Sequence, residues 1–141
     1  MIAKRMFKLF TAFHIWMYRQ SNGQRMNIMR GMPVLLLTTT GRKTGKQRTT
    51  PLMYIEDGEN VVITASAGGD DADPAWFKNL QTNPRATVEI KGITQTVVAQ
   101  VAEPEQKAPL WSRLISQAPF FGEYQRSTTR EIPMVILQPE A

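Results

Sequence analysis

Cysteine is absent from the 141 residues, and histidine occurs once, at His14. Neither a disulfide framework nor thiolate chemistry is available, and a single histidine leaves no ordinary zinc or iron site to assemble. The expected metal complement is therefore none. Acidic residues are missing from the first fifty positions, which carry ten Lys or Arg; the other 91 positions hold seven basic and twelve acidic residues. The positive field is confined to one end of the chain and suits an anionic partner: a polyanionic small molecule, a phospholipid surface or nucleic acid. The apolar segment at the N-terminus is too short to span a bilayer. It is interrupted by His14 and Tyr18 and lacks a small-residue cleavage pattern, so no secretory signal is read and the cytoplasm is the default location. A hydrophobic content of 42% fits one globular domain over residues 1–141.

What is present is concentrated in Pro33 to Ile55, PVLLLTTTGRKTGKQRTTPLMYI. The run Val34-Leu35-Leu36-Leu37 leads through three threonines into Gly41-Arg42-Lys43-Thr44-Gly45-Lys46, and a second β-rich run follows Arg48. The pattern predicts a hairpin whose tip carries Arg42, Lys43, Lys46 and Arg48, with two glycines that permit positive φ and expose backbone N–H groups. Such a tip can hold an anion, although charged turns are commonly only solvated. A nucleotide P-loop is excluded. That motif needs four residues between its glycines, then Lys and Ser or Thr at the start of a helix, whereas here three intervene and Gln47 follows Lys46.

Before the hairpin, Ile2, Met6, Leu9, Phe10, Phe13, Trp16 and Met17 recur at helical steps among Lys4, Arg5, Lys8 and Thr11. This spacing predicts an amphipathic basic helix with two readings, a helix packed on the domain or one lying in a membrane interface; packing is the preferred expectation. Residues 20–31 read as a connector, so residues 1–27 precede a core over 28–138. After the hairpin, Asp57-Gly58 marks a turn and Val61 to Ser66 a third strand. Asp73 is expected as the N-cap and Pro74 as the first residue of a short helix over Ala75 to Thr82. Lys91-Gly92 should join strands over 86–90 and 93–101. A helix is expected from Pro104 until Pro119-Phe120-Phe121-Gly122 breaks it, followed by a last strand over 132–137. The expected fold is α+β, a six-stranded antiparallel β-barrel with flanking helices. Asp70, Asp71 and Asp73 lack the glycine and distal glutamate of a calcium loop.

No acid/base pair is flagged by spacing, so demanding chemistry would come from a cofactor. The run LLLTTTGRKTGKQRTTPLMY, the strand ending Ala65-Ser66, then Gly68-Gly69, Asp73-Pro74-Ala75-Trp76-Phe77-Lys78-Asn79-Leu80, Asn83-Pro84 and Ile132-Pro133 together resemble the deazaflavin-dependent nitroreductase family. The resemblance covers about residues 28–138. It implies a split β-barrel that binds coenzyme F-420, whose reduced form delivers hydride from C5 to an electron-poor acceptor such as a quinone, an enone or a nitroaromatic. It places Arg42, Lys43, Thr44, Gly45 and Arg48 on the anionic part of the cofactor, with Thr50, Pro51, Leu52, Ala65, Ser66 and Ala67 bordering the ring system. Trp76 and Asn79 fall at further cofactor contacts, against the plain readings of a core residue and a helix-end cap.

On the acceptor side the resemblance places Met53, Phe121 and Tyr124, with Ser66 and Tyr124 as the catalytic candidates. Well-known members carry lysine where this chain has Ala67, and tyrosines where it has Met53, Ala118 and Phe121. The implied pocket is more apolar and poorer in proton donors than its relatives', which favours quinones or enones over nitroimidazoles. The alternatives are an FMN-binding oxidoreductase on the same barrel or a non-enzymatic carrier of cofactor or lipid. Nucleic acid is not expected, because the aromatics fall in predicted helices and loops rather than on strands. Two further partners stay open, a membrane surface meeting residues 2–17 and a second copy in a homodimer.

Overall fold

Val34, Leu35, Leu36 and Leu37 are each at most 2% exposed. Four consecutive buried residues mean a strand covered on both faces, and that strand seeds the structure. A computed structural model describes residues 2–140, with the side chains of Met6 and of Lys8 onward. Helix α1 spans Ile2–Gln20 and a two-residue strand β1 spans Ile28–Met29. The strands β2 (Met32–Thr40), β3 (Gln47–Asp57) and β4 (Asn60–Thr64) follow. A 3-10 turn at Ala67–Gly69 precedes α2 (Ala75–Thr82), β5 (Arg85–Ile90) and β6 (Ile93–Val101). The chain ends with α3 (Pro104–Gln117), α4 (Phe120–Arg126) and β7 (Met134–Pro139).

All pairings are antiparallel, in the order β1-β2-β3-β4-β7-β6-β5. A further pairing of β2 with β5, Leu37 opposite Val88, closes β2 to β7 into a six-stranded ring with β1 outside it. The expected α+β barrel is therefore the observed one. The turns follow their residues: Lys91 (φ 50°) and Gly92 (φ 82°) join the Ile90–Ile93 pair, and Gly58 (φ 62°) lies between Asp57 and Asn60. Closure removes strand edges, and the interior is filled by Leu35, Leu37, Tyr54, Ile63, Val88, Val97, Val135 and Leu137. Trp76, Phe77 and Leu80 of α2 join that interior, so α2 stoppers one end of the barrel. A second apolar cluster lies outside the ring, where Leu110 and Leu114 of α3 and Phe121 of α4 pack on Met32, Ile55, Val62 and Ile136.

Three local expectations change. Pro74, not Asp73, is the N-cap of α2, without a side-chain cap bond, because the Asp73 carboxylate accepts from Arg130 Nη1 at 3.1 Å. Residues 119–122 do not simply end a helix. Pro119 caps α4, where its fixed φ of −58° suits a first turn, and Gly122 is carried inside it.

The third change concerns α1. Its docked face is His14, 4% exposed, and Tyr18, fully buried. His14 Nε2 donates to the Met26 carbonyl (2.7 Å), and Tyr18 donates to the Glu89 carbonyl (3.0 Å) while accepting from Lys91 N–H (3.2 Å). Most of the stripe expected to pack instead faces outward: Met6, Leu9, Phe10, Phe13 and Trp16 are between 53% and 71% exposed, and Met17 is half-buried. Ile2, Lys4 and Arg5 of that expectation lie outside the described side chains. Among the described residues no helix is long and apolar enough to cross a membrane.

Candidate active site

The β2–β3 tip is shaped by its own backbone. Gly41 N–H donates to the Lys46 carbonyl (2.7 Å) and Gly45 N–H to the Gly41 carbonyl (2.8 Å), with Gly45 at φ 72°. A side chain at Gly41 would sit 2.9 Å from Thr44 Oγ1 and 3.1 Å from the Lys46 carbonyl, so the turn closes only over glycine. Thr44 Oγ1 accepts from Lys46 N–H (3.2 Å).

Asn79 reaches this tip from α2, but as a strut. Its Oδ1 accepts from Arg42 N–H (3.2 Å) and from Arg42 Nη1 (2.9 Å), while Nδ2 donates to Thr39 Oγ1 (3.1 Å). Asn79 is 4% and Thr39 1% exposed, so these bonds form away from water and hold the loop firmly. The residue expected as a direct contact or a helix-end cap thus fixes where Arg42 points.

Beside the tip opens a cleft of about 740 Å³, lined by Arg42, Lys43, Thr44, Arg48 and Thr50, by Trp76 and Asn79 of α2, and by Lys8, Ile15 and Arg19 of α1. None of its lining residues is acidic. Arg19 is engaged by Glu89 at 3.2 Å; Lys8, Lys43 and Arg48 form no ion pair among the described residues. Three available cations, a turn rich in glycine and the indole of Trp76 on one wall suit an elongated polyanion that carries a flat ring. Seven of the thirteen expected cofactor residues line this cleft. Gly45 shapes its tip, Pro51 and Leu52 continue along β3, and Leu52 turns into the barrel interior.

From Arg48 to Met53, β3 runs about 17 Å at 3.3 Å per residue and reaches a different neighbourhood. Met53, Phe120 and Tyr124 pack on the outer cluster around Phe121 and Ala118. Phe121 (3% exposed) and Ala118 (1%) are buried, so they form the wall behind the site. Tyr124 stands nearer the surface, its ring edge-on to Phe120 (5.7 Å) and to Phe121 (5.6 Å). Its hydroxyl accepts from Arg30 Nη1 at 2.7 Å, and the Arg30 guanidinium lies 3.8 Å from the Phe120 ring centre. Arg30 sits in the β1–β2 turn at φ 49°, followed by Gly31 at φ 81°.

Ser66 and Ala67 follow β4 in a loop held by Arg130, which donates to the Ser66 carbonyl (2.9 Å), the Asp70 carbonyl (2.8 Å) and Asp73. Ala67, Gly68 and Gly69 all have positive φ, at 47°, 64° and 88°. At Gly69 a Cβ would stand 3.0 Å from the Tyr124 carbonyl, so the loop and α4 pack backbone to backbone. Ser66 is 9% exposed, and Ala65 is fully buried. Sequence reasoning did not find Lys8, Ile15, Arg19, Arg30 or Arg130. The turn dipeptide Arg30-Gly31 was the one local signal available; the others are set by packing between distant segments.

The profile of the family described as F420H(2)-dependent quinone reductase matches residues 11–139. Mycobacterium tuberculosis (strain ATCC 25618 / H37Rv) has an F420H(2)-dependent quinone reductase, Rv1261c, that is 38% identical over 129 residues, covering 88% of this chain and 86% of that protein. A solved F420-H2 dependent reductase, FDR-A, superposes with a TM-score of 0.69 at 36% identity, covering 75% of this chain and 94% of its own. A second solved structure, a domain-swapped dimer, superposes with a TM-score of 0.72 at 29% identity, over 97% of this chain and 96% of its own. The chain therefore belongs to the F420H(2)-dependent quinone reductase family.

Proposed function

We propose that this protein is an oxidoreductase that passes hydride from reduced coenzyme F-420 to a quinone. The observation that carries the reading is the acid-free cationic cleft at the β2–β3 tip, with Arg42 braced by Asn79. Lys43, Arg48 and Lys8 would hold the phosphate and acidic tail, Arg42 and the tip amides would set their position, and Trp76 with Thr50 would border the ring end. When bound, the reduced deazaflavin supplies two electrons and a proton as hydride.

The acceptor's oxygen then needs a second proton, and the chain offers two hydroxyls. Arginine has no acceptor atom, so the short bond to Arg30 uses the Tyr124 oxygen and leaves its hydrogen to point elsewhere, available for an acceptor carbonyl. Ser66 offers the second hydroxyl. Met53, Ala118 and Phe121 make the surroundings apolar, which suits a quinone or conjugated ketone needing one well-placed donor better than a nitro group needing several. Nothing in the family match favours FMN or a carrier role. A cytoplasmic location and a homodimer, like the domain-swapped relative, belong to the same proposal.

Titrating the protein with F-420 and separately with FMN, following fluorescence, tests the cofactor. Oxidation of reduced F-420 by menadione and by a nitroimidazole tests the reaction. Saturable F-420 binding and faster turnover with menadione are expected; tight FMN binding without F-420 binding, or faster nitroimidazole reduction, overturns it.

A further inference from the structure

Helix α1 is apolar on a face that its own body does not use. The exposed residues Met6, Leu9, Phe13 and Trp16 are spaced three, four and three apart, the step of an a/d seam in which one helix interlocks with another. Beside the seam lie exposed Phe10 and the small, exposed Ala12, so a partner helix can approach closely. The opposite face is already engaged by the barrel through His14 and Tyr18.

We infer that α1 pairs with α1 of a second copy, antiparallel across a two-fold axis, with Leu9 of each copy against Phe13 of the other and Met6 against Trp16. The choice of a second copy rests on the homodimer reading and on two observations. A lipid-lying helix flanks its apolar face with Lys and Arg reaching to headgroups. Here the two basic residues of α1 whose side chains are described, Lys8 and Arg19, turn into the cleft, and Arg19 is bound by Glu89. In addition, the domain-swapped relative aligns over 97% of the chain, so its match extends into α1. Charge selects the direction. In sequence, three of the four basic residues of α1 fall in its first seven positions and none of its residues is acidic, so a parallel pair would align like charge that an antiparallel pair sets apart. Five large side chains from each copy would bury on the order of 1,000 Å², about the threshold for a biological interface and in the range of weak, reversible ones. Because α1 also supplies Lys8, Ile15 and Arg19 to the cleft, pairing would brace one cleft wall in each subunit.

The test uses the full chain without cofactor, so its failure is separable from failure of the reductase reading. Sedimentation equilibrium should show a dimer, and Leu9→Glu with Phe13→Glu should raise its dissociation constant at least a hundredfold while leaving the melting temperature of the monomer unchanged, since both side chains are exposed. The absence of native cysteine makes cross-linking clean. The double variant Leu9→Cys with Phe13→Cys should oxidise to a covalent dimer, and Met6→Cys alone should not, because the two copies of Met6 would lie about 15 Å apart along the axis. A monomer at all concentrations overturns the inference, as does a dimer indifferent to the glutamates. Cross-linking through Met6→Cys alone overturns the antiparallel arrangement. Sedimentation of a monomer with phosphatidylglycerol vesicles, abolished by the two glutamates, would instead make the face a membrane surface.

Discussion

The two ends of β3 work by opposite means. At the tip, Arg48 and its neighbours are solvent-facing, and order comes from one buried amide, Asn79, that fixes Arg42. At the far end the walls are buried aromatic and aliphatic groups, and the polar atoms are a few hydroxyls, of which Tyr124 is held by Arg30. On the proposed function, the difference separates affinity from chemistry. Exposed cations attract a polyanion but are screened over about 8 Å at physiological salt, whereas a hydroxyl beside apolar walls acts on charge that appears only during reaction.

The comparison breaks first at Tyr124. Loss of a positioned proton donor costs on the order of a hundredfold or more in rate, so Tyr124→Phe should lower kcat for menadione by about that factor and leave F-420 affinity intact. Arg30→Met should act through the same atom, so the double variant should be little slower than Tyr124→Phe alone. Equal affinity and rate losses in Tyr124→Phe, or an unaffected kcat in both Tyr124→Phe and Ser66→Ala, would remove the far end from the reaction.

Next comes the tip. A charge-assisted contact is worth roughly 1.5 to 3 kcal/mol, about ten- to a hundredfold. Arg48→Ala and Lys43→Ala should each weaken F-420 binding in that range, measured by fluorescence titration, with the loss shrinking as salt rises; kcat at saturating cofactor should stay near its original value. Unchanged affinity in both variants would move the anion site elsewhere.

Asn79→Ala sharpens the contrast between holding and touching. It releases Arg42 and strands the buried Thr39 hydroxyl, so about 1 to 3 kcal/mol of stability should be lost together with a smaller, roughly tenfold, loss of F-420 affinity. If affinity falls while the thermal midpoint stays fixed, Asn79 is a direct contact and not a strut.

How much of this was written locally follows the range of the interactions. Helix α2 was readable at 75–82 because Pro74 and Asn83-Pro84 bracket it, and Lys91-Gly92 because two positive φ values define its turn. The cationic tip was readable because glycine and charge sit within a few residues. The outward face of α1 was not: periodicity identifies an apolar stripe, but which face is covered depends on Met26, Glu89 and Lys91, which His14 and Tyr18 find only after folding. Arg30 meets Tyr124 across 94 positions and Arg130 meets Ser66 across 64, separations at which spacing carries no signal. Helix α4 was hidden by Pro119 and Gly122, two residues that usually punctuate but here cap and fill a short helix.

The smallest effect concerns the joint that sets α1 beside the cleft. Burial pushes the Tyr18 hydroxyl above its ordinary value of 10.0; the Lys91 N–H bond opposes this and the Glu89 carboxylate adds to it. Burial, with lesser help from Glu56 and Tyr18, pushes Tyr54 up as well. A tyrosine whose pKa is higher folded than unfolded holds its proton longer in the native state, so stability is complete below about pH 10 and declines as pH rises past the unfolded value, by up to about 1.4 kcal/mol per pH unit and group. The thermal midpoint should therefore begin to fall as pH rises past about 10, the ordinary value of the phenol. In Tyr18→Phe the starting midpoint should be lower, because the Glu89 carbonyl and Lys91 N–H lose their partner, and the alkaline fall should be shallower, because one titrating group is gone. An alkaline fall as steep in Tyr18→Phe as in the original protein would show that α1 is not held on the barrel through this phenol, and the cleft wall built from Lys8, Ile15 and Arg19 would need another anchor.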